Sequence, residues 1–128
     1  MPFEIIHHKN DAIIEAIYPA SPTAEDIQNY VKRAREIIDE QHGRRWCCLA
    51  DQRAMMVMTP ELVTTLGELN AYACAKGMVR TARLVASAVA GLQAHRIARE
   101  HGISLQAFES RDVALAWLRT SMSTPPRA

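Results

Sequence analysis

The run Trp46-Cys47-Cys48-Leu49-Ala50, closed abruptly by Asp51-Gln52-Arg53, constrains this chain more than any other stretch. A short apolar run without alternation fits a strand covered on both faces, the form taken by interior strands of parallel sheets. Ala54-Met55-Met56-Val57-Met58 follows as a connector, and Thr59-Pro60-Glu61 then opens an amphipathic segment. Strand, loop and helix follow one another. In open α/β sheets a ligand or regulatory site lies beyond the carboxyl end of such a strand. Asp51 to Glu61 is therefore where function is expected.

The flanking chain supports a sheet around that strand. Residues 3–8 and 12–18 read as two strands joined by turn chemistry at Asn10-Asp11, hence an antiparallel hairpin. The second strand places Ile13, Glu15 and Ile17 on one face and Ile14, Ala16 and Tyr18 on the other, so both faces are expected to be covered. A helix follows, capped either by Ser21 with Pro22 behind it or by Thr23 with Asp26 three residues on. Its inner face carries Ile27, Tyr30, Val31, Ala34, Ile37 and Ile38, and Gly43 closes it. The next helix is capped by Thr59, with Pro60 at its first position. Leu62, Leu66, Leu69 and Ala73 form its stripe with Val63 alongside, and Gly77 stops it.

Val79 to Ala86 reads as a strand, interior from Ala82 onward. Ser87 then caps a helix rich in small residues that runs through Val89, Leu92, Ile97 and Ala98 to His101. Ser104 to Phe108 is a last strand. Ser110 caps a final helix whose inner face is Val113, Ala114, Trp117 and Leu118. The order β-β-α-β-α-β-α-β-α predicts an α/β domain: one mixed sheet of about five strands with four helices and parallel crossovers. The domain is placed at residues 1–120 and a flexible tail at 121–128.

Composition narrows function mostly by exclusion. A chain of 128 residues suits one domain. A formal net charge of +1 supplies no basic field for nucleic acid. The longest uncharged stretch, Leu84 to Ala94, is too short to span a bilayer, so no stable membrane insertion is expected. No signal-peptide pattern opens the chain, and three cysteines, two of them adjacent, make no disulfide framework. A reducing cytoplasm is the expected location.

The chemical motifs are equally spare. Cys47 and Cys48 point to opposite faces of a strand, so they cannot chelate one ion, and both are expected to act as buried small hydrophobes, as is Cys74. His7 and His8 diverge in the same way, while His95 and His101 miss the i, i+4 spacing of a helical metal pair. No metalloprotease, nucleophile-elbow, P-loop or dinucleotide signature occurs. Neither catalytic residue, metal nor cofactor is expected. Arg80, Arg83, Arg96 and Arg99 read as a solvated face diluted by acids. Met55, Met56 and Met58 either plug the gap between sheet and helix or form an adaptable contact surface.

Three segments in order resemble the SpoIIAA-like (STAS-like) domains, which include anti-sigma-factor antagonists and are distantly related to Sec14-type lipid binders. They are Leu49-Ala50-Asp51-Gln52-Arg53 with Met58-Thr59-Pro60-Glu61-Leu62, Gly77 to Val85, and Phe108 to Leu118. The last resembles an uncharacterised bacterial branch. The resemblance implies a non-enzymatic regulatory domain that binds a protein partner or a second copy of itself. The antagonists carry an Asp-Ser-Ser/Thr-Gly phosphorylation motif where this chain has Met58-Thr59-Pro60-Glu61, so the phosphoserine switch is expected to be missing. The expected surface comprises Asp51, Arg53, Met55, Met56, Met58, Thr59 and Ser87. The alternative is a carrier of small lipophilic ligands or lipid, of Sec14-like character.

Overall fold

In the computed structural model, which describes residues 2–56, 58–86 and 104–123, the apolar run is the middle strand of a five-stranded sheet. The strands β1 (Glu4–His8), β2 (Ile13–Ile17), β3 (Trp46–Asp51), β4 (Met78–Leu84) and β5 (Leu105–Phe108) lie across it in chain order. β1 runs antiparallel to β2, and every other neighbour pair is parallel. The parallel strands therefore all end at one edge, where β3 delivers Asp51.

Three helices are described: α1 (Ala24–Asp39), α2 (Pro60–Ala75) and α3 (Arg111–Ser123). The helix expected from Ser87 to His101 lies outside the described residues, together with His95, Arg96 and Arg99. Among the described residues no helix is long and apolar enough to cross a membrane.

Side-chain alternation along β3 builds two cores. Trp46 and Ala50 pack with Ile27, Tyr30, Ile37 and Ile38 of α1 and with Leu62, Leu66 and Leu69 of α2. Cys47 and Leu49 pack on the other face with Ala114, Leu115 and Leu118 of α3. Cys48 turns toward the first core, so the two thiols diverge as expected. Burying one leucine contributes about 1.5–3 kcal/mol, and Leu49 of the middle strand is fully buried against α3.

Local signals set the helix ends. Thr23, not Ser21, caps α1: its hydroxyl accepts from the Asp26 N–H at 3.1 Å, while the Asp26 carboxylate accepts from the Thr23 N–H at 2.9 Å. This reciprocal pair satisfies two backbone donors the helix leaves open. Thr59 caps α2, accepting from Leu62 N–H at 3.1 Å, with Pro60 at the first position. Gly77 turns the chain into β4 with φ +105°, and a Cβ there would lie 2.3 Å from the Arg44 carbonyl oxygen. Only glycine fits so close an approach.

Several expectations are corrected. α1 ends at Asp39, and a further turn through His42 (φ 52°) and Gly43 (φ 76°) reverses the chain, so Gly43 ends that turn and not the helix itself. In the β1–β2 hairpin the left-handed residue is Ala12 (φ 55°), not Asn10 or Asp11. Cys74 and Val63 are exposed because they sit about 100° around α2 from its buried stripe. In α3 Val113 is exposed and Leu115 buried, since the stripe runs through Ala114, Leu115 and Leu118. Trp117 is only partly buried; the Arg80 guanidinium lies over its ring at 4.6 Å. α3 extends to Ser123, so residues 121–123 are helical and not tail. Arg83 is not solvated: it is 5% exposed.

Candidate functional site

The edge where the parallel strands end carries a continuous backbone frame. Tyr18 N–H donates to the Asp51 carbonyl, Gln52 N–H to Leu84, and Val85 N–H to Phe108, each at 2.9 Å. The frame holds the end of β3 from both sides. Asp51, only 7% exposed, folds the chain back at that point. Its carboxylate accepts from the Arg53 backbone N–H at 3.2 Å, from Nε at 3.0 Å and from Nη2 at 2.8 Å. Burial pushes the Asp51 carboxyl up, but the Arg53 contacts outweigh it and leave the group below its ordinary value. Arg53 and Asp51 thereby form a two-point charged contact.

The methionines divide. Met55 packs against the core beneath α1 and α2, which is the gap-filling role. Met56 is 82% exposed and Met58 37% exposed, so these two are surface. The loop is nonetheless tied down, because Met56 N–H donates to the Ala20 carbonyl at 2.9 Å and Met55 N–H to Gln52 at 3.2 Å. Val63, one turn into α2, adds a further exposed apolar side chain. Thr59 is exposed, and its hydroxyl oxygen serves the cap. Ser87 lies outside the described residues. Arg53, Met56, Met58 and Thr59 thus fall on one tethered, exposed connection, rooted by the buried Asp51 and by Met55.

A second charged group at this edge was not foreseen. Glu15, 1% exposed on β2, accepts from His8 Nε2 at 2.8 Å and from Arg111 at the start of α3, Nε at 3.0 Å and Nη2 at 2.7 Å. Burial raises the Glu15 carboxyl, yet Arg111 and His8 more than offset it and leave it below its ordinary value. Arg111 also acts on Asp51 and Arg53, so the two pairs form one electrostatic group. The only sequence signal was a glutamate between Ile13 and Ile17 on a strand predicted to be covered.

The two carboxylates at this edge are satisfied. Both carboxylates are held ionised by arginines, so neither is poised to carry a proton near neutral pH. Burial pushes the Cys48 thiol up to about 12, leaving it protonated. Among the described residues no three His, Cys, Asp or Glu side chains converge as a metal site would need.

Comparison with known proteins bears on this arrangement. No protein-family profile matches the chain, and no curated protein matches it significantly. A crystal structure of an uncharacterised DUF3478-family protein from Shewanella loihica PV-4, described as having a SpoIIAA-like fold, matches with a TM-score of 0.76. The match covers 91% of each chain at 14% identity. The fold is SpoIIAA-like. In this SpoIIAA-like domain the resemblance carried by the Leu49–Arg53, Gly77–Val85 and Phe108–Leu118 segments holds at the level of architecture. The Met58-Thr59-Pro60-Glu61 departure sits at the amino end of α2, exposed beside the methionine loop.

Proposed function

We propose that this SpoIIAA-like domain is a non-enzymatic cytoplasmic regulator that docks a protein through the connection from Arg53 to Glu61. The carrying observation is Met56: a flexible apolar side chain 82% exposed on a backbone pinned to Ala20. An exposed methionine on a tethered loop presents adaptable apolar area at little ordering cost. Arg53, fixed by Asp51, adds a directed charge beside it. Thr59 is committed to capping α2, which favours contact without the phosphoserine switch.

A second copy of the chain is one form of the same reading. The carrier reading has less support, since the cavity on the α1/α2 face is about 30 Å³ and typical ligand pockets are about 300–1,000 Å³.

A photo-crosslinking residue at Met56, compared with one at Glu25 on α1, tests the proposal in the native host. The expected result is a discrete adduct from position 56 alone, with its mass showing whether the partner is a different protein or a second copy. Identical patterns from both positions would contradict it.

A further inference from the structure

Among the described residues Arg83 carries a buried charge that no carboxylate compensates. It lies on β4 and is 5% exposed, and its side chain lines a small cavity between the sheet and α1/α2. Its Nε has no hydrogen-bond partner, and among the described residues no carboxylate pairs with the guanidinium. The walls include Tyr18, Tyr30, Cys48, Leu66 and Asn70, none of them anionic. Burial raises the Cys48 thiol and both phenols, so these groups are neutral as well.

An arginine does not shed its proton to escape burial, and an unpaired buried charge is costly. A water molecule satisfies a donor but leaves the charge. The cavity volume of about 30 Å³ exceeds the 10–15 Å³ or so that one water-sized occupant requires, and it is far too small for a lipid. We propose that this cavity is a binding site for one halide-sized monovalent anion, such as chloride, held by the Arg83 guanidinium. The site lies on the α1/α2 face of the sheet and is independent of the docking reading above. Its occupant completes the core electrostatically.

The test uses the full chain and bromide as the probe. Thermal unfolding is followed while bromide replaces gluconate, an anion too large to enter, at constant ionic strength. The site predicts a midpoint that rises by about 4–6 °C per tenfold increase in bromide above the dissociation constant. The dependence disappears in Arg83→Met. Equal midpoints in bromide and gluconate, or an unchanged slope in Arg83→Met, overturn the proposal. Should Arg83→Met not fold, crystals of the unaltered protein grown in bromide decide: an anomalous peak within hydrogen-bonding reach of Arg83 supports the site, and none there overturns it.

Discussion

Glu15 and Arg111 stand 96 residues apart in the chain and meet through two hydrogen bonds of 3.0 and 2.7 Å. The contact ties β2 to the first residue of α3 across the sheet edge and fixes how α3 approaches the second core. A two-point arginine–carboxylate pair resists rotation as well as separation.

Removing one partner leaves the other charge stranded. Arg111→Met is expected to cost about 2–3 kcal/mol in urea unfolding, because Glu15 stays buried with His8 as its remaining partner among the described residues. The double variant Glu15→Met with Arg111→Met is expected to recover part of that loss, since two apolar groups leave no orphaned charge. A double variant less stable than Arg111→Met alone would contradict this.

The same carboxylates set the acid limb of stability. Folding lowers both from ordinary values of 4.5 for Glu15 and 3.8 for Asp51, so the native state favours their ionised forms. The resulting stabilisation is complete above those ordinary values and is lost as pH falls through the lower folded ones. Unfolding free energy measured from pH 7 to pH 3 should therefore be level at first and drop below about pH 5. Arg111→Met is expected to flatten that drop.

Two glycines give opposite outcomes on substitution by alanine. Gly77→Ala forces a Cβ to 2.3 Å from the Arg44 carbonyl oxygen at φ +105°, and is expected to cost about 3 kcal/mol or abolish folding. Gly67, inside α2, has nothing within 4 Å of its would-be Cβ. Gly67→Ala should raise stability by about 0.5–1 kcal/mol. Equal effects of the two in urea titrations would refute the assignment.

Relief of backbone strain is expected at the hairpin. Ala12 occupies φ 55°, where a Cβ crowds the following carbonyl. Ala12→Gly should raise the urea midpoint, by about 0.5–1 kcal/mol of stability. A lower midpoint would show that the turn gains from the side chain.

How far the residues announced this structure follows from the range of each signal. The Trp46–Ala50 strand, the Thr59-Pro60 helix start and the Gly77 stop depend on neighbours within a few positions, and each appears where expected. The SpoIIAA-like arrangement follows from the order of such elements. The Glu15–Arg111 pair depends on two residues brought together only by the completed sheet, so nothing near either one points to the other. Arg83 was misread for a related reason: an arginine is solvated by default, and its burial against the face covered by α1 and α2 exists only in the assembled sheet. Met55 and Met56 are adjacent, and their division between core and surface depends on a backbone bond to Ala20, 36 residues earlier.

Docking through Met56 and its neighbours is tested directly by a charge placed there. In Met56→Asp the exposed position should leave stability within about 0.5 kcal/mol of the parent. The decisive measurement is recovery, from the native host, of the partner identified by crosslinking at that position. The account predicts that Met56→Asp abolishes recovery while Glu25→Lys, on α1, leaves it intact. Undiminished recovery by a folded Met56→Asp protein would contradict it.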